Sequence, residues 1–185
     1  MSSVKLLTRL EFFSQIAKTF PEFSYLGDPI LHTPTNPVSV DEGREIGQKL
    51  GKILIKYHQL VGYGRGLAAN QISIPKSVFV TFLDDQIQTY INPKIIKFSQ
   101  DQCLYRELCL SSGIIWADIK RSATITLQWT DNTGQPQKEE FTGPQARLLQ
   151  HEAEHLIGIH SLDHAEPGTI EFCLSDPLLE KLRLI

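Results

Sequence analysis

Apolar residues at Ile46, Leu50, Ile53, Leu54, Tyr57 and Val61 recur three and four positions apart, the spacing of one face of an α-helix. Ser39-Val-Asp-Glu42 precedes them as a capping-box pattern, and Gly62, Gly64 and Gly66 crowd glycine into a stretch that no helix survives. The period then changes. Ser77–Leu83 and Gln86–Ile91 read as strands joined through Asp84-Asp85 in a hairpin, and Ala123–Trp129 alternates with Ile125, Leu127 and Trp129 on one face. Asp131-Asn-Thr-Gly134 turns that strand into Lys138–Phe141. A second helix is expected from Thr142, where Thr142-Gly-Pro-Gln145 is another capping-box pattern. It runs through Leu148, Leu149 and Leu156 to Gly158. Ser24 to Val38, with Gly27-Asp28-Pro29, Pro34, Asn36 and Pro37, reads as loop. A last short helix is expected from Pro177 with Asp176 as its cap, and the amphipathic tail Leu178–Ile185 is expected to pack on the domain. Helices and strands do not alternate regularly, so the fold class is α+β rather than a doubly wound parallel sheet.

The first twenty residues carry Lys5, Arg9 and Lys18 against Glu11. They can be read as a transit peptide or as an N-terminal helix with Leu6, Leu7, Leu10, Phe13 and Ile16 on one side. The helix is preferred, because Arg and Ser are not enriched. A chain of 185 residues, at roughly 150 per domain, makes a single domain spanning 1–185. An apolar fraction of 41% is enough for a core and too high for a disordered chain. With 18 basic and 21 acidic residues the net charge is −3, which argues against nucleic-acid binding through bulk electrostatics. No apolar run reaches the length of a membrane span. Three cysteines are an odd number, which favours a reducing compartment and a cytoplasmic location over a disulfide scaffold.

The second helix contains His151-Glu152-Ala-Glu-His155. Residues four apart stack on one helix face, so both imidazoles can grip one metal ion, with Glu152 placed as a general base. The alternative is a solvated face with Glu152 and Glu154 as salt-bridge partners. Six His and twelve Glu give that pattern an expected count of ~0.01 by chance, so the metal reading is preferred. A third ligand is still required. A metzincin would place a His where Ser161 stands; a thermolysin-like site would use a later carboxylate such as Glu171; and Cys109, in Glu107-Leu-Cys109-Leu-Ser111, is a third source. Taken alone, a single cysteine is more often a small buried hydrophobe.

The chain resembles the peptide deformylases from Gly27-Asp-Pro-Ile-Leu31 to Gly158. Gly64-Arg-Gly-Leu-Ala-Ala-Asn-Gln71 is similar to the family's first motif, Glu107-Leu-Cys-Leu-Ser111 to its second, and Gln150-His-Glu-Ala-Glu-His-Leu-Ile-Gly158 to its third. Ile91-Asn-Pro93, Arg121 and Ala146-Arg147 also sit where the family has them. The resemblance implies antiparallel β-sheets around a central metal-binding helix. It implies one divalent metal on Cys109, His151 and His155, with Fe2+ as the native ion and Zn2+, Ni2+ or Co2+ also suited. Glu152 would take a proton from the water that attacks the formyl carbon, then pass it to the departing methionine nitrogen. The Gln71 amide and the Leu110 backbone N–H would hold the oxyanion. Gly64 and Gly66 would let the substrate backbone lie alongside as an added strand. The implied substrates are N-formylmethionyl peptides or nascent chains at the ribosome.

The chain departs from the pattern at Leu108 (usually glycine), Glu154 (usually aspartate) and Ser112-Gly113 (usually Val-Pro). Leu108 either points into the formylmethionine site and narrows it, or points away and is neutral; the glycine it replaces can take a positive φ that leucine resists. The rival readings are a degenerate deformylase-like binding protein and an HExxH metalloprotease with a third ligand after His155. Cys103 and Cys173 lack comparable surroundings, and His160 and His164, outside the ligand spacing, are expected at the surface.

Overall fold

The computed structural model describes residues 3–174. The expected helix at Pro177, its cap and the amphipathic tail lie outside the described residues. Helix α1 spans Ser3–Thr19 and α2 spans Val40–Val61. Strands β1 (Gly66–Ala68), β2 (Val78–Leu83), β3 (Gln86–Phe98), β4 (Gln102–Leu108), β5 (Ile115–Ser122), β6 (Thr124–Thr130) and β7 (Pro136–Thr142) follow, then α3 (Gly143–Leu156) and the short β8 (Glu171–Phe172). All pairing between strands is antiparallel, in a five-stranded sheet of order β1-β2-β3-β6-β7 and a three-stranded sheet of order β4-β5-β8. No helix of the described residues is long and apolar enough to cross a membrane.

Alternation along β2 divides the core. Val78 and Val80 face a cluster with Ile46, Leu50, Leu54 and Tyr57 of α2, whereas Phe79 faces Tyr90, Ile125, Leu127, Trp129 and the α3 residues Ala146, Leu149 and Leu156. The larger sheet is therefore covered by α2 on one face and by α3 on the other. Each fully buried Leu, Ile or Phe stabilises the fold by about 1.5–3 kcal/mol. The start of α2 is as expected: Ser39 Oγ accepts the Glu42 N–H at 3.3 Å, and Gly62 ends the helix with φ 78°. Gly43, Gly47 and Gly51 lie on the face towards β3. A Cβ there would strike the side chains of Ile91, Thr89 and Ile87 respectively, so their absence brings helix and strand close together.

The hairpin turn at Asp84 (φ 50°) and Asp85 (φ 59°) forms as expected. Strand β3 continues past its expected end at Ile91, because a register shift between Ile91 and Lys94 breaks the alternation without ending the strand. Asn92 (φ 50°) makes that bulge and is pinned by Val38, whose N–H it accepts at 2.9 Å and whose carbonyl it donates to at 2.8 Å.

Two local expectations are corrected. The capping box at Thr142 does not form. Gly143 takes φ 57°, a left-handed conformation that glycine adopts without a Cβ penalty and that lies outside the right-handed helical region, so Thr142 remains a strand residue paired with Thr124 and its side chain makes no cap bond. The Gly143 N–H instead donates to the Ala123 carbonyl at 3.0 Å. Helix α1 is rotated from its expected face. Leu7 and Leu10 are 59% and 43% exposed, while Phe12, Phe13 and Ile16 turn inward. The larger rings win the contact: Phe13 meets Tyr25 edge-on at 5.1 Å, and a Cβ on Gly113 would meet the Phe13 ring.

Candidate metal centre

Helix α3 packs against β1, β3, β6 and β7 of the larger sheet and β5 of the smaller. It carries His151 and His155 one turn apart, with rings 5.0 Å apart and nearly perpendicular. Cys109 follows β4 at the start of a single turn, Leu110–Ser112, that Ser112 closes: its Oγ accepts the Cys109 N–H at 3.2 Å. That bond gives the unexpected serine a role. The donor atoms of Cys109, His151 and His155 all lie within 4.8 Å of one another, and Cys109 Sγ is 3.3 Å from His155 Nε2. Donors about 2.0–2.3 Å from one tetrahedral ion stand about 3.3–3.8 Å apart, so these three fit a metal with small adjustments.

The chemistry of the donors fits as well. Burial would push the Cys109 thiol up, but the imidazoles of His155 and His151 outweigh it and hold the thiol well below its ordinary range. Burial lowers His155. His151 is also buried, yet Cys109 and Glu107 raise it well above its usual value. Its Nδ1 donates to Glu107 Oε2 at 2.9 Å, which leaves Nε2 for the ligand position.

Glu107 is the centre of a buried ionic cradle. Arg121 donates through Nε to Oε1 at 2.7 Å and through Nη2 to Oε2 at 3.0 Å, and Arg147 donates through Nη1 to Oε1. Burial opposes the charge on Glu107, but His151 and Arg121 hold the carboxyl far below the carboxylate range. On its other side Arg121 meets Glu154 at 2.8 Å, so the longer residue at 154 still reaches its partner. Burial lowers Arg121, yet Glu107 and Glu154 raise it overall.

Glu152 is buried, and burial pushes it up to about 8, with the charges of Cys109 and Glu107 adding to the rise and those of His151 and Arg121 opposing it. Its Oε2 has no hydrogen-bond partner among the described residues. Gln71 is oriented by the Ala68 N–H, which its Oε1 accepts at 2.8 Å. Its Nε2 then donates to Ser111 Oγ at 3.1 Å, beside Cys109 Sγ at 3.5 Å.

A cavity of about 630 Å³ opens over this cluster, lined by Gly64, Gly66, Gln71, Leu108, Cys109, Leu110, His151 and Glu152. The structure thus brings every expected site residue to one cavity except His155, which is wholly buried behind it. Gly66 has a further reason to be glycine: a Cβ there would fall on the Glu152 carboxylate. Its strand, β1, is the last of the larger sheet and has no neighbour on its outer side among the described residues. Leu108 lies in regular β4 opposite Trp116, with no positive φ, so the backbone alternative is not realised and the side chain lines the cavity.

Glu171 is not part of the cluster and pairs with Arg106 at 3.2 Å. His164 is exposed as expected, but His160 is not at the surface: the chain beyond α3 folds back and buries its ring against His155. Sequence reading also missed the joint role of Glu107, Arg121 and Arg147. The available signal was a carboxylate two residues before the candidate cysteine.

The sequence profile of the family described as Polypeptide deformylase matches residues 21–170. The peptide deformylase of Rhizobium meliloti (strain 1021) is 33% identical over 144 residues, covering 75% of this chain and 81% of its own. That of Treponema pallidum (strain Nichols) is 33% identical over 147 residues, covering 78% and 88%. Among solved structures, a peptide deformylase from Synechococcus elongatus in complex with actinonin superposes with a TM-score of 0.71 at 33% identity, covering 79% of each chain. Peptide deformylase from Thermotoga maritima gives 0.70 at 31% identity, covering 78% of this chain and 97% of its own.

Proposed function

From the premise that the chain belongs to the peptide deformylase family, we propose that it hydrolyses the N-terminal formyl group of formylmethionyl polypeptides, releasing formate. Cys109, His151 and His155 would hold one divalent ion, natively Fe2+, with Zn2+, Ni2+ and Co2+ served by the same thiolate and imidazoles. When bound, such an ion supplies Lewis acidity.

The protein's own residues divide the remaining work. Glu152, poised at about 8, can accept a proton and return it near neutrality. It takes the proton from the attacking water and delivers it to the methionine nitrogen as the C–N bond breaks. The Nε2 of Gln71 and the N–H of Leu110 donate to the oxygen that gains negative charge on the formyl carbon. The outer edge of β1, unpaired among the described residues, receives the substrate backbone as an added strand, with Gly66 in the strand and Gly64 just before it. Leu108 bounds the space for the methionine side chain. Substrates would be nascent chains leaving the ribosome in the cytoplasm.

One observation carries this reading: Glu152 and Gln71 converge with the Cys109 and His151 donor atoms on a single cavity. The test is formate release from formyl-Met-Ala by protein loaded with Fe2+, Ni2+ or Co2+. Full metal occupancy without formate would refute the reading.

A further inference from the structure

Three buried polar atoms near His155 have no hydrogen-bond partner among the described residues: His155 Nδ1, His160 Nε2 and Asn70 Oδ1. None of the three residues is more than 1% exposed. The two rings stand 5.7 Å apart at 67°, and Asn70 Nδ2 donates to the His155 carbonyl at 2.6 Å. Bonds on the far side of each group decide its proton. His160 Nδ1 accepts the Leu162 N–H at 3.1 Å, so in the neutral ring the proton is on Nε2. His155 turns Nε2 towards Cys109 Sγ, so with that nitrogen given to a metal its proton is on Nδ1. Asn70, having committed its nitrogen to a carbonyl, presents an oxygen.

Two N–H donors cannot satisfy each other. One water molecule can accept from both and donate onward to an amide oxygen, and buried waters serve groups of this kind. We propose that His160 is a positioning residue for the metal centre, holding His155 through one buried water shared with Asn70. His160 is itself held in place: Asp163 accepts its backbone N–H at 2.8 Å, and the Leu162 N–H fixes its ring. As Glu107 orients the ring of His151, His160 would orient the ring of His155, here as a donor acting through a water rather than as an anionic acceptor. This rests on the assignment of His155 as a metal ligand.

The test uses the full chain and Zn2+ in competition with a chromophoric chelator. His160→Leu, which fills the space without a donor, should bind Zn2+ about 10–100-fold more weakly and shift the visible spectrum of the Co2+ form. His160→Gln, which keeps an N–H donor, should recover most of the affinity. A purely structural role would lower the melting temperature of the metal-free protein and leave the affinity unchanged; that outcome overturns the proposal. Nitrogen-15 spectra of the Zn2+-loaded wild type decide the matter even if the leucine variant does not fold. Slowly exchanging protons on His155 Nδ1 and His160 Nε2 support it, and a His160 proton on Nδ1 refutes it. If the wild type binds no Zn2+, the metal assignment falls, and this inference with it.

Discussion

Helices α2 and α3 cover opposite faces of one sheet, yet they bury different chemistry. The inner face of α2 is Ile46, Leu50, Leu54 and Tyr57 interleaved with three glycines, and it serves packing except near its end, where Tyr57 also lines the cavity. The inner face of α3 adds Gln150, Glu152 and His155 to Ala146, Leu149 and Leu156. Burying a carboxylate or imidazole costs free energy that neighbours must offset, and the Arg121 and Glu107 cradle does so beside α3. The lesson is that one helix sustains the fold while the other draws on that stability to hold reactive groups out of water.

The sharpest break in this contrast is Cys109→Ala. Two imidazoles alone leave the ion under-coordinated, so the variant should lose its equivalent of metal and all formate release while remaining folded; elemental analysis alongside circular dichroism checks both. On the α2 side, Leu50→Ala should cost about 2–5 kcal/mol of stability in chemical denaturation. Its metal content and kcat per folded molecule should stay at wild-type values; a loss of kcat would mean that the helices are not separable in this way. Glu152→Gln should keep metal and melting temperature but reduce turnover by at least ~10², because an amide cannot carry the proton. Near-normal turnover would remove Glu152 from the mechanism. The smallest effect is expected from Leu108→Gly, which enlarges the cavity beside Cys109 and should raise kcat/KM on formyl-Met-Ala by about two- to fivefold, on the order of 1 kcal/mol or less. An unchanged or lower value would mean that Leu108 does not limit the methionine site.

The same contrast explains what could be read from the chain. Helix α2 and the Asp84-Asp85 hairpin were legible because an apolar period and a two-residue turn are local signals. Strands β4 and β5 received no assignment: Leu104 and Tyr105 are exposed, so β4 lacks the alternation of a half-buried strand. In the site, His151, Glu152 and His155 followed from spacing on one helix, whereas Cys109 needed the resemblance. The Glu107 cradle was invisible because its members come from β4, β5 and α3, which only the fold brings together. His160 misled for the same reason, since its burial is decided by a turn beyond the helix.

Gly66 and Glu152, distant in the chain, compete for one volume. Any side chain at 66 would displace the carboxylate, and retracting the carboxylate to make room would withdraw the proposed proton carrier from the cavity. The two positions therefore cannot drift separately under mutation. A lineage that acquired even alanine at 66 would face selection first at 152, so a backbone position with no functional group becomes as intolerant of change as the acid it shelters.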